Sequence, residues 1–109
     1  MEWSSIAALA LALPGADLST SYGRSAVKVR GKMFVCAGRS DDHFVMIASH
    51  DEVGVLIETE PACFFQTPHY VGWSGVLVRY ASADPERIAV LVERAWARRA
   101  SAAQIKARG

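Results

Sequence analysis

The sequence predicts a single α+β domain over residues 1–109: a two-layer structure in which helices cover one face of an antiparallel five-stranded sheet, in the order α-β-β-β-α-β-β-α. Three observations lead there. Val27 and Val29 alternate with Lys28 and Arg30 as strand residues do, and three other segments carry apolar residues at helical spacing next to start or stop signals. The connections between the strands of the first half are also too short for anything but antiparallel pairing. At 109 residues, 51% of them hydrophobic, the chain is long enough to bury about two thirds of its unfolded surface around one core.

The first helix is read from "IAALALAL", where Ile6, Leu9, Ala10 and Leu13 form one stripe and Pro14-Gly15 supplies the stop. The same run resembles the core of a signal peptide, but Glu2 stands where such a segment needs positive charge, and the run is too short to span a bilayer. A cytoplasmic protein with no membrane partner is therefore expected. "GADLSTSYG" reads as a turn-rich polar loop. Val27 and Val29 then alternate with Lys28 and Arg30 in a strand, Arg30-Gly31-Lys32 turns the chain, and Met33 to Ala37 forms the second strand. After a turn from Gly38 to Asp42, "HFVMIA" supplies a third.

Ser49 and Glu52 have capping-box spacing ahead of the stripe Val53, Leu56 and Ile57, and Pro61 ends that helix. "CFFQT" reads as a short strand, Pro68 to Ser74 as a loop and "GVLVRY" as the last strand. Asp84 caps the final helix with Pro85 in its first position, and Ile88, Leu91, Val92, Ala95 and Trp96 are spaced to cover the sheet. The tail after about residue 100 is expected to be disordered. Helices with one apolar face each would leave much of the other sheet face open.

Net charge is only +1, but the charges are sorted along the chain. Arg24, Lys28, Arg30, Lys32 and Arg39 lie in an acid-free span, and the acids Asp41, Asp42, Asp51, Glu52, Glu58 and Glu60 follow in a span without Lys or Arg. Such sorting permits a basic surface able to meet an anion, although the overall balance falls short of a dedicated nucleic-acid binder.

"LALPGADLSTSYGRSAVKVRGKMFVCAG", "ETEPACFFQTPHYVGWSGVLVRY" and "DPERIAVLVERAW" together resemble the MmcQ/YjbR-like proteins, small bacterial domains with a CyaY-like or secretion-chaperone-like fold. The most specific matches are Leu13-Pro14-Gly15, Tyr22-Gly23, Gly31-Lys32 with Phe34, and Thr67-Pro68-His69-Tyr70 with Gly72. The resemblance agrees with the element order above and implies no catalytic residues. It implies DNA binding through a double wing of β-hairpins as one proposed activity. Trp73-Ser74-Gly75 departs from the pattern, since similar proteins often carry an aromatic followed by Pro there.

The wing would be the hairpin around Lys28, Arg30 and Lys32. With Arg24, Arg39 and Arg79 nearby, it would neutralise backbone phosphates weakly and without base specificity. The plainer account is that Lys28 and Arg30 solvate the outward face of a strand and Lys32 blunts a hairpin tip. A second expectation is a small-molecule or protein-interaction module built on the Pro68–Ser74 loop and the open sheet face. Tyr22, Phe64, Phe65, Tyr70, Trp73 and Trp96 would line its pocket, with His69 and Arg79 as polar groups and Tyr22, His69, Tyr70 and Trp73 at its centre, for a small apolar or anionic ligand; here the plainer account is aromatic packing.

Other chemistries fit poorly. Gly72-Trp73-Ser74-Gly75 resembles part of a nucleophile elbow, yet Ser74 leads into a strand where a helix is required. Cys63 and His69 as a dyad would need an activated thiol, and Cys63 is flanked by apolar neighbours. Cys36 and Cys63 are too far apart for a zinc or redox spacing and read as packed, reduced thiols. Frataxin-like relatives of the fold bind iron on an acidic first helix, which here offers only Glu2. Nor do His43 and His50, beside Asp41, Asp42 and Asp51, have the spacing of a preformed metal site. No catalytic residue, cofactor or metal is expected, and a monomeric non-enzyme is the resulting expectation.

Overall fold

Tyr22-Gly23 and Arg30-Gly31 all take positive φ (52°, 77°, 56° and 75°), the backbone of two-residue hairpin turns. In the computed structural model, which describes residues 1–109, these turns fold β1 (Ala16–Ser21), β2 (Arg24–Val29) and β3 (Lys32–Ala37) into a meander. β4 (His43–Ile47) continues it, α2 (His50–Thr59) crosses over, and β5 (Phe64–Phe65) and β6 (Gly75–Arg79) close the sheet in the order β1-β2-β3-β4-β6-β5. The sheet is antiparallel throughout, with six strands where five were expected. The added strand is β1, which occupies the segment read as a polar loop. As an edge strand it carries no buried residue, so it lacks the apolar alternation that marks a strand in sequence; the Tyr22-Gly23 turn sets its register against β2.

Three helices cover one face: α1 (Trp3–Leu11), α2 and α3 (Pro85–Arg99), the last preceded by a 3₁₀ turn at Tyr80–Ser82. α3 starts as expected, with Asp84 accepting from the Glu86 amide at 3.2 Å and Pro85 in the first turn. Only half of the capping box expected at α2 forms. Ser49 accepts from the Glu52 amide at 3.1 Å, while the Glu52 carboxylate pairs with Arg94 of α3. The main core lies between sheet and helices. One extra residue in β3, opposite the Val27–Lys28 step of β2, lets consecutive Phe34 and Val35 both enter that core. Trp96 is 1% exposed there, and its indole N–H donates to the Pro14 carbonyl at 2.9 Å, tying α3 to the turn after α1.

Residues 102–108 form a fourth helix, α4, where a disordered tail was expected. Ser101 accepts from the Gln104 amide (3.1 Å) while the Gln104 side chain accepts from the Ser101 amide (2.8 Å), a complete capping box. The Gln104 side chain rests on Gly15, which has φ +71°, and Arg108 pairs with Glu93 of α3.

Tyr80 is buried, and its hydroxyl has no hydrogen-bond partner. Burial, reinforced by Asp41 and Glu2, pushes its pKa up to about 12. An acid whose folded pKa is raised ionises first in the unfolded chain, so its contribution to stability is intact below pH ~10 and lost between there and about 12. Tyr80→Phe is expected to flatten that alkaline loss in urea titrations and to leave neutral-pH stability unchanged or slightly higher. A variant with the same alkaline slope as the parent would show that another group is responsible.

Candidate ligand cleft on the open sheet face

Residue pairing sets one row across the uncovered face, Ala26–Cys36–Val45–Leu77–Phe65, running from β2 to β5. Ala26, Cys36, Val45 and Leu77 are buried although no helix lies over them. The cover is supplied by the 66–74 loop. Its two successive turns are closed by the Tyr70 amide on the Thr67 carbonyl and the Trp73 amide on the Tyr70 carbonyl, both at 2.9 Å. The Gln66 side chain then donates to the carbonyls of Trp73 and Gly75 at 3.3 and 2.7 Å, clamping the loop's ends together. Gly72 takes φ +85° in the second turn, and the Trp73 ring lies against Gly75, where a Cβ would clash with a ring carbon. Tyr70 and Trp73 are thereby pressed onto the sheet.

The loop does not cover the face completely. Between it and the β1–β2 hairpin a cleft of about 410 Å³ remains, within the usual size range of small-molecule pockets. Its floor is Met33, Cys36 and Val45. Tyr70 and Trp73, 5.2 Å apart and tilted at 48°, form one wall, and the His69 ring meets Tyr70 edge-on at 5.0 Å. Tyr22 and Ser21 stand on the hairpin side. Arg24 and Arg39 supply the charge, and no acid lines the cleft. Burial pushes the Cys36 thiol up, only partly offset by Arg24, so the floor is a neutral apolar surface. Of the residues expected at a pocket, Tyr22, His69, Tyr70 and Trp73 thus line a single cleft, while Phe64, Phe65, Trp96 and Arg79 do not.

Arg24 is held by a contact that sequence reasoning did not find. One terminal nitrogen, Nη2, donates to the Tyr70 hydroxyl at 3.2 Å, across 46 positions of chain; the other, Nη1, is buried with no hydrogen-bond partner. Tyr22 is equally unusual. It is 97% exposed and takes φ +52°, a conformation that favours Gly or Asn and is strained for a large side chain.

The residues predicted as a basic patch are only partly brought together. Arg24 and Arg39 meet at the cleft. Lys28 shares the open face but stands directly opposite Asp17 of β1, so an acid intermixes there. Arg30 turns the other way and donates to the Arg99 carbonyl at 3.4 Å, and Lys32 is exposed beyond the Arg30-Gly31 turn. Arg79, three strand spacings or roughly 14 Å from β2, stacks over Phe65 at 3.9 Å from the ring centroid and donates to the Pro61 carbonyl. Phe64 and Trp96 lie in the main core, away from the cleft.

Several catalytic combinations can be tested geometrically. Ser40, Asp42 and His43 cluster in one turn, but His43 Nδ1 faces both the Asp42 carboxylate (2.6 Å) and the Ser40 hydroxyl (3.4 Å). A relay needs the two ring nitrogens to face one partner each. Hydrogen bonds from Ser40 and His43 instead hold the exposed Asp42 carboxyl below its ordinary range. Ser74 Oγ lies 3.1 Å from His50 Nε2, a pair with no carboxylate on the other ring nitrogen. Cys63 packs in the main core while His69 lines the cleft on the opposite face. Nowhere do three His, Cys, Asp or Glu side chains converge as metal ligands, and no helix is long and apolar enough to cross a membrane.

A family model described as YjbR matches residues 11–98, a span that includes the cleft, the hairpins and nearly all of α3. No curated protein and no solved structure matches the chain.

Proposed function

The chain belongs to the YjbR family, and on that footing we propose that it is a non-enzymatic binding module for a small molecule with an apolar body and a negative charge, held beneath the Pro68–Ser74 loop. One observation carries this reading: aromatic side chains from two distant segments surround an apolar floor together with Arg24 and Arg39, and no acid is among them. An apolar cleft with a few fixed polar groups is the usual form of a small-ligand site. Tyr22, 97% exposed at the rim, is free to close over such a ligand.

Amide NMR spectra of the isotope-labelled protein, recorded against a set of small aromatic and aliphatic anions, test the proposal. Binders should perturb Tyr22, Arg24, Cys36 and Tyr70 together. Tyr22→Asn should relieve the turn and raise stability in urea by roughly 1 kcal/mol, while weakening those same binders. Perturbations that fall elsewhere on the surface, or a Tyr22→Asn protein that binds as tightly as the parent, would remove the cleft from consideration.

A second reading, weak duplex-DNA binding by the basic hairpin, is favoured by the absence of any ion pair at Arg24, Lys28, Arg30, Lys32 or Arg39. It predicts affinity that falls steeply between about 50 and 200 mM salt. Replacing Lys28, Arg30 and Lys32 with Ala should flatten that slope for all sequences alike. Salt-insensitive binding, or none at the lower salt, would retire it.

A further inference from the structure

Deepening the cleft reading, on which it rests, we propose that the ligand is a small planar aromatic carboxylate, with its ring against Tyr70 and Trp73 and its carboxylate on the guanidinium of Arg24. A guanidinium has donors on every nitrogen and no acceptor, so a buried nitrogen without a partner is unfavourable until an acceptor arrives. Arg24 Nη1 is in that condition, while Nη2 is occupied only by the neutral Tyr70 hydroxyl. A shift of that hydroxyl opens the planar fork. Two parallel bonds to one anionic carboxylate then replace one bond to a neutral acceptor and one unmade bond.

The rest of the cleft selects the body of the ligand. The Tyr70 and Trp73 rings adjoin, 5.2 Å apart, beside an apolar floor, and Tyr22 is already projected at the rim opposite them. A flat ring fits between such surfaces with little loss of side-chain freedom. The donor set also argues for a carboxylate over a phosphate. The lining holds two arginines but no lysine and no helix N-terminus, and a phosphate commonly draws on such groups in addition.

The test compares naphthoate, naphthamide and naphthyl phosphate, titrated by NMR into the intact protein and into Arg24→Gln. Naphthoate is expected to bind the parent about 10-fold to 100-fold more tightly than naphthamide. Arg24→Gln should erase that preference, and naphthamide shifts that still fall at Cys36 and Trp73 would report that the variant's cleft is intact. Equal affinity for the acid and the amide, or a preference that survives Arg24→Gln, would overturn the carboxylate assignment and leave the cleft as a binding site. Tighter binding of naphthyl phosphate than of naphthoate would also overturn it, in favour of a phosphorylated ligand. If none of the three probes perturbs the cleft, the cleft reading falls as well.

Discussion

Replacing Trp96 with alanine is expected to remove about 3–5 kcal/mol of stability, the range for truncating a large aromatic in a packed core. Trp96 is almost completely enclosed by the main core, and its indole N–H satisfies the Pro14 carbonyl at 2.9 Å. The alanine variant would lose the packing of α3, open a cavity, and leave that carbonyl without its donor. For a domain whose total stability lies in the usual range of roughly 5–15 kcal/mol, the urea midpoint should fall by a large fraction. Trp96→Phe separates the two effects, because it keeps much of the volume and loses the hydrogen bond, for about 1–3 kcal/mol. A loss below about 1 kcal/mol in the alanine variant would mean that the link between α3 and the Pro14 turn is dispensable, contrary to its place in the core.

The second large effect is expected at Gly75. Its backbone takes no glycine-only conformation, so alanine there meets only a steric problem: the new methyl would occupy space now filled by the Trp73 ring. Overpacking of this kind costs about 1–3 kcal/mol. Trp73 is only half-buried and can relieve the clash by swinging outward. That movement would dismantle the aromatic wall of the cleft, so Gly75→Ala should weaken any cleft ligand by more than about 10-fold. A double-mutant cycle isolates the cause. In a Trp73→Ala background the added methyl should cost almost nothing, whereas additive losses would place the effect in the backbone of β6.

How much of this was legible beforehand differs from element to element. The starts of α2 and α3 could be read from Ser49 and from Asp84-Pro85, because a cap bonds to amides two or three positions away. The second and third strands could be read because Val27 and Val29 alternate with charge, and the Arg30-Gly31 turn holds its own register. Of the rings expected at a pocket, Tyr22, His69, Tyr70 and Trp73 border one cleft, whereas Phe64, Phe65 and Trp96 do not, because neither strand alternation nor helical spacing says which face of the sheet a loop will cover. β1 was missed because an edge strand with no buried residue carries no periodic apolar signal; Tyr22-Gly23, a turn pair with positive φ, was the one available clue. The order of α4 depends on Ser101 and Gln104, whose spacing could have been read as a capping box.

By itself, then, the sequence determined the α+β class and most of the element order, because caps, alternation and turn chemistry act over a few neighbouring positions. Only the tertiary structure decided that the charges divide. Arg24 goes to Tyr70, Arg30 to the end of α3, Arg79 to Phe65, and Lys28 stands opposite Asp17. Those partners come from segments far apart in the chain or from the register of an unanticipated strand. Which face each cation occupies is therefore settled by the sheet's pairing and by the fold of the 66–74 loop, and no local pattern encodes either.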